Sequence, residues 1–248
     1  MEIDAVVLAA RPNTGKLASE SDEPLEANID IAGRPMIDYV LSALRGVPEI
    51  RNIILVGPRD GLSAYEGDRI KIVEPGEDLI SNVKIGVSHA ESEYVLVASS
   101  DIPLITDEIV KEFIHAAISS GADFVYPVCT KEDCDLKYPG VQRTYAKVKG
   151  TNYTGGNLFF IKESHVEKLW PMVDAMIENR KSPVKMGMFF GLGFVLKILF
   201  GIAGLPEIED HVGKIAGMKC KAYVAAPEIG IDVDKPKDLE LVRSILAK

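Results

Sequence analysis

The chain has 248 residues, of which 47% are hydrophobic and 26% charged, and a formal net charge of −9. That leaves room for one large α/β domain or two small ones with a full core, at an ordinary globular composition. An acidic surface repels nucleic acid, so tracking along its phosphates is excluded; an anionic nucleotide would need a bound cation or backbone N–H groups to hold it.

The three cysteines, Cys129, Cys134 and Cys220, are odd in number and widely spaced. They form neither a disulfide framework nor a zinc signature, and a reducing cytoplasm is the expected location. The start, MEIDAVVLAA, lacks the basic residues of a secretory signal.

Residues 3–10 form an apolar run, consistent with a buried parallel strand. Residues 11–26 are polar without periodicity and read as a loop. The spacing of Met36, Tyr39, Val40 and Leu44 predicts a helix over 35–44. Strands are expected at 52–56 and 69–73, a helix at 78–90, a strand at 94–98, a helix at 107–120 and a strand at 122–128. This alternation is the pattern of βαβ units and a parallel sheet. After Cys129 the order changes. The segments 144–149 and 158–161 read as a small antiparallel addition. A helix over 163–179 places Val166, Leu169, Trp170, Val173 and Ile177 on one side, with Pro171 disturbing it. A strand at 220–225 and a helix from Pro236 close the chain. The expected architecture is a single domain over 1–248, with an apolar helical insertion around 182–217.

In an open parallel sheet, ligands bind beyond the carboxyl ends of the strands. Three segments end there: 9–16, 99–104 and 231–234. Asp101 follows a mostly apolar strand. It can hold a divalent ion bound to phosphates, or serve as a turn or capping aspartate ahead of Pro103. Asp232 and Asp234 flank an apolar residue and share one face of extended chain. They could complete a metal shell, or one of them could cap the helix beginning near Pro236. The loop Arg11, Pro12, Asn13, Thr14, Gly15, Lys16 offers cations and backbone donors. It is not a P-loop, because the first glycine is missing and Leu17 stands where serine or threonine belongs. Gly155, Gly156 and Asn157 could allow close ligand approach, or make a tight turn. His89, His115, His165 and His211 form no catalytic pattern, and His115 reads as structural.

Taken together in order, AVVLAA at 5–10, IAGRPMIDYVLSAL at 31–44, SNVKIGV at 81–87, SSDIPLI at 99–105, GGNLFFI at 155–161 and IDVDKPKDLE at 231–240 carry a resemblance. The chain resembles the nucleotidyltransferase superfamily of molybdenum-cofactor guanylyltransferases and sugar-phosphate nucleotidyltransferases, and more closely the MobA-like NTP transferase group. The resemblance implies a mostly parallel central sheet with helices on both faces, the nucleotide-diphospho-sugar transferase or GT-A-like α/β fold. It implies a nucleoside triphosphate, a small-molecule acceptor, and magnesium or manganese as cofactor. By position, it implies that Leu8, Ala9 and Ala10 line the base and ribose, and that the loop through Asn13, Thr14, Gly15 and Lys16 wraps the phosphates. Ser81 and Asn82 would lie near the base, and Gly156 and Asn157 near the sugar or acceptor. Asp101 would be the main metal ligand, joined by Asp232 or Asp234, while Arg11 and Lys16 would stabilise leaving pyrophosphate.

Two departures stand out. The family reads Leu-Ala-Ala-Gly-x-Gly-x-x-Arg after its first strand, and here Arg11 follows Ala10. The family's Pro-Lys pair is replaced by Leu25 and Glu26. A glutamate there would repel phosphate, leaving Lys16 or Arg11 to substitute. Two other functions therefore stand beside nucleotidyl transfer: a degenerate nucleotide-binding or regulatory module, and a nucleotide-sugar glycosyltransferase.

One stretch lies outside the resemblance. Residues 186–205, MGMFFGLGFVLKILFGIAGL, are long enough to span a bilayer. Lys197 in their middle and five glycines disfavour a span. A buried helix is the plain expectation. A homodimer interface, a lid or a membrane-surface contact is the sharper one.

Overall fold

β1 (Ile3–Leu8) is buried on both faces, as a strand in the interior of a parallel sheet must be. In the computed structural model, which describes residues 1–67, 69–179 and 182–247, it lies within a nine-stranded sheet. The chain continues through a small hairpin of β2 (Asp30–Ile31) and β3 (Arg34–Pro35), then α1 (Met36–Gly46), β4 (Ile50–Val56) and α2 (Arg59–Leu62). β5 (Ile70–Val73), α3 (Leu79–Ser88), β6 (Tyr94–Ser99) and α4 (Asp107–Ser120) complete the first half. The second half holds β7 (Phe124–Thr130), α5 (Lys131–Lys137), β8 (Ala146–Val148), β9 (Thr151–Gly155), β10 (Leu158–Lys162) and α6 (Val166–Asn179). It ends with α7 (Pro183–Phe190), α8 (Leu192–Leu199), α9 (Leu205–Ala216), β11 (Cys220–Val224) and α10 (Pro236–Leu246).

The strand order is β5-β4-β1-β6-β10-β7-β9-β8, with β11 paired to β7. β5, β4, β1 and β6 are parallel. Chain order moves outward from β1 to β5 and then returns to β6 on the other side of β1. That reversal makes the β1/β6 boundary a topological switch point, where α/β sheets open a crevice. Alternation along β1 splits the core between two layers of helix. Ala5 and Val7 join Val40, Leu41 and Phe113 of α1 and α4 on one face. Val6 joins Val83, Leu169 and Trp170 of α3 and α6 on the other. The α3 layer sits so close that a Cβ on Gly86 would lie 2.3 Å from Cγ1 of Val6.

Several sequence expectations need correction. The apolar run of β1 is interrupted by Asp4, which is buried and accepts hydrogen bonds from the N–H groups of Glu91 (2.7 Å) and Ser92 (3.0 Å). β10 runs antiparallel as expected, but it is no appendage, because it lies inside the sheet between β6 and β7. Its apolar residues face both core layers, and periodicity carries no information about neighbours. The 144–149 strand shortens to β8 and pairs with the unpredicted β9. The unpredicted α5 is capped by Thr130, which accepts from the N–H of Asp133 at 3.0 Å. α6 runs through Pro171; Val166, Leu169 and Trp170 are buried as expected, whereas the side chain of Ile177 lies outside the described residues. The stretch 186–205 is not one buried helix, since α7 and α8 part at Gly191, whose φ of 87° leaves the helical region. Among the described residues no helix is long and apolar enough to cross a membrane.

Candidate active site

β1 and β6 pair in parallel so that Leu8 lies beside Ser99 at their carboxyl ends. Ala9 is buried, and its N–H donates to Val56 O at 2.8 Å. Leu8, Ala9 and Ala10 therefore lead out of the switch point, as Asp101 does two residues beyond β6. Asp101 takes a hydrogen bond from the Ser99 hydroxyl. Its carbonyl accepts from the N–H of Val233 at 2.9 Å, which ties the acidic segment to the end of β6.

That segment folds as its alternation dictates. Ile231 and Val233 are buried in a third cluster with Leu17, Met36, Leu104 and Leu239. Asp232 and Asp234 are thereby left on the opposite side. Carboxylate oxygens of Asp101, Asp232 and Asp234 all lie within 4.8 Å of one another. The capping alternatives fall away. Thr106 caps α4 by accepting from the N–H of Ile109 at 3.4 Å. Lys235 stands at the N-cap of α10 without a side-chain cap, so Asp234 does not cap it.

Crowding sets the electrostatics. Burial pushes Asp101 above its ordinary value, and Asp234 adds to this against Ser99 and Arg11. Burial also raises Asp232, to about 6, with Arg143 opposing and Asp101 and Asp234 reinforcing. For Asp234 burial is outweighed, chiefly by the hydrogen bond from Arg11, and its pKa falls. Three converging carboxylates form an all-oxygen donor set that suits a hard divalent cation such as magnesium or manganese. The raised values of Asp101 and Asp232 mark the charge such an ion would neutralise.

The loop after β1 is pinned from several sides. Asn13 donates to the carbonyls of Ser21 (2.8 Å) and Glu23 (3.0 Å), and its N–H donates to Pro24 O at 2.9 Å. Leu17 is fully buried beneath it. Arg11 donates to Asp234 at 2.7 Å, and its Nε lies 3.1 Å from Glu26 Oε2, in ion-pair range but without an aligned hydrogen bond. Glu26 is buried, and burial raises its pKa, with Asp234 adding and Arg11 opposing. Glu26 does not stand alone at this position, since it faces Arg11, whose charge opposes its own. Lys16 is exposed, with no carboxylate in salt-bridge range among the described residues; Thr14 and Gly15 are exposed beside it.

Other expected residues hold structure. Ser81 forms a capping box with Asp78, exchanging hydrogen bonds of 2.7 and 2.9 Å. Asn82 accepts from the N–H of Gly76 at 2.7 Å. Together they shape the loop between β5 and α3. Gly156 is buried where a Cβ would fall 2.6 Å from Ile229 Cγ2, so its missing side chain makes room for protein. Asn157 bridges the β6 end to the 227–230 turn: its carbonyl accepts from Ser99 N, and its N–H donates to Ile229 O, each at 2.9 Å.

Arg143 was not anticipated. A lone arginine in an irregular loop gives no sequence signal. Only 7% of its side chain is exposed. It donates to the carbonyls of Gly230 (3.1 Å) and Asp232, and its guanidinium lies 3.3 Å from Asp232 Oδ1 and 3.5 Å from the buried Asp238. It holds the acidic segment in place and offsets its charge.

A doubly wound sheet with a carboxylate cluster at its switch point defines an α/β protein with a ligand crevice at the carboxyl ends of its strands. The profile of the MobA-like NTP transferase domain matches residues 26–182, more than half of the chain, and the chain belongs to that family. A hypothetical transferase from Thermus thermophilus superposes with a TM-score of 0.84 at 31% identity, covering 96% of this chain and 100% of that one. CMP:2-keto-3-deoxy-manno-octonic acid synthetase complexed with CTP superposes with a TM-score of 0.68 at 14% identity, over 100% and 99% of the two chains, and shares the fold. The 2-C-methyl-D-erythritol 4-phosphate cytidylyltransferase of Chlamydia abortus is 32% identical over 90 residues, 36% of this chain and 42% of the relative. The match thus spans under half of that curated relative's length.

Proposed function

We propose that the chain is a nucleotidyltransferase that moves a nucleoside monophosphate from a nucleoside triphosphate to a small phosphorylated or hydroxyl acceptor. The observation that carries this is the trio Asp101, Asp232 and Asp234, within 4.8 Å at the switch point of a MobA-like domain. The named cytidylyltransferase relative supports the reaction class. An acceptor oxygen attacks the α-phosphorus, the bond to the bridging oxygen breaks, and pyrophosphate leaves. The reaction needs no covalent enzyme intermediate. Magnesium or manganese, held by the three aspartates, would supply charge neutralisation on phosphate oxygens.

The chain's own residues do the rest. Leu8, Ala9 and Ala10 form the floor for base and ribose. Backbone N–H groups of the loop at 13–15, with Lys16, receive the terminal phosphates. Arg11 is positioned by Glu26 and Asp234 to meet the leaving pyrophosphate. Ser81 and Asn82 fix the loop beside the base, and Gly156 and Asn157 shape the acceptor side. Arg143 keeps Asp232 oriented.

The test is transfer of label from α-labelled nucleoside triphosphates to a panel of sugar and polyol phosphates, with pyrophosphate measured alongside. Pyrophosphate release in step with labelled product is expected. Nucleoside diphosphate release from nucleotide sugars instead would indicate a glycosyltransferase. One observation favours a second reading, a binding module without turnover: Arg11 is already engaged by two carboxylates. Metal-dependent binding with no product from any acceptor would support it.

A further inference from the structure

Residues 182–206 contain two lysines and no aspartate or glutamate, in a chain of net charge −9. They build α7, α8, the turn that follows and the first two residues of α9. The break at Gly191 leaves two helices of eight residues each, well short of the roughly 20 residues a membrane span needs. In α8, Val195 is buried against the body of the protein. Leu192, Leu196 and Leu199, spaced four and three apart, share one face beside Val195 and are exposed. Met188 (80% exposed), Phe200 (73%) and Ile202 (62%), on α7 and just after α8, are exposed as well.

The rim of this surface is basic. Lys147 and Lys149, on and just after β8, run their methylene stems past Gly201 and Gly204. Lys185 sits in the first turn of α7. None of these three has a carboxylate in salt-bridge range among the described residues. Lys197 does, pairing with Glu207 at 2.6 Å.

We propose that this face docks in the plane of an anionic lipid bilayer, with the apolar side chains below the headgroups and the lysines at phosphate level. Charge decides between occupants. A two-fold contact with a second copy would set one basic rim against another. An anionic surface attracts this rim while repelling the acidic remainder of the chain, so the charge distribution selects both partner and orientation.

The test is flotation of the full chain with vesicles of phosphatidylcholine alone or mixed with phosphatidylglycerol. Binding is expected with phosphatidylglycerol and not without it, weakening as salt rises. Leu192→Ser, Leu196→Ser and Phe200→Ser combined should abolish flotation. Lys147→Glu with Lys149→Glu should weaken it more than tenfold, at roughly fivefold for each lysine charge near an anionic surface. Both lysines are exposed, so this second variant carries the test alone should the serine variant fail to fold. Failure to float with phosphatidylglycerol, equal flotation with phosphatidylcholine, or undiminished flotation of the lysine variant overturns the proposal. So does a sedimenting dimer that the serine substitutions dissociate.

Discussion

Replacing Arg143 with alanine removes a buried cation that packs against the acidic segment. The guanidinium lies 3.3 Å from Asp232 and 3.5 Å from Asp238, and its side chain is 7% exposed. Breaking a buried pair by deleting one partner costs about 3–5 kcal/mol. One escape lowers that figure. Burial already pushes Asp232 up to about 6 against the opposing charge of Arg143, and removing that charge moves the carboxyl further toward its protonated form. Each pKa unit is worth about 1.4 kcal/mol, so protonation caps the loss toward the lower end of the range, about 3 kcal/mol. In a domain of this size that is a drop of roughly 6–12 °C in Tm. Thermal unfolding followed by circular dichroism at neutral and mildly acidic pH measures it. The gap between variant and parent should narrow on the acid side, where Asp232 is protonated in both. Arg143→Lys, which keeps the charge but not the fork to two carbonyls, should fall between. Equal midpoints for parent and alanine variant at neutral pH would refute the assignment of Arg143 as the support of this segment.

Gly86→Ala should destabilise by about 1–3 kcal/mol despite alanine's better helix propensity, because the new methyl would overlap Val6 in a packed interior; urea unfolding measures it. Asp4 is held below its ordinary value: burial would raise it, but the N–H of Glu91, Arg51 and the N–H of Ser92 outweigh burial. Its stability contribution is present above the unfolded-state pKa and lost as pH falls through the lower folded-state value. Asp4→Asn should therefore cost about 1–3 kcal/mol at neutral pH, with the gap closing in strong acid, as measured by denaturant melts across pH. Glu26→Gln frees Arg11 from one of its two carboxylates, and should tighten nucleotide binding in a titration; unchanged affinity would separate Arg11 from the phosphates.

The parallel half was legible because its strands and helices each announce themselves by period. The three aspartates were legible for a related reason: apolar Ile231 and Val233 must be buried, which leaves Asp232 and Asp234 together. What remained hidden depended on contacts far apart in the chain. Nothing in Leu158–Lys162 says that it lies inside the sheet, between β6 and β7. Arg143 meets Asp232 from 89 residues away, and Arg11 meets Asp234 across 223. The helix α5 carries a local signal in its Thr130 cap, but its mostly polar residues give no apolar period.

The most direct measurement is thermal denaturation with ATP, GTP, CTP and UTP, each with and without magnesium, for the parent chain and Asp101→Asn. Stabilisation by one nucleotide that needs magnesium and disappears in Asp101→Asn is the expected result. Absence of any shift with all four nucleotides, or a shift that Asp101→Asn retains in full, would contradict a metal-assisted nucleotide site at the three aspartates.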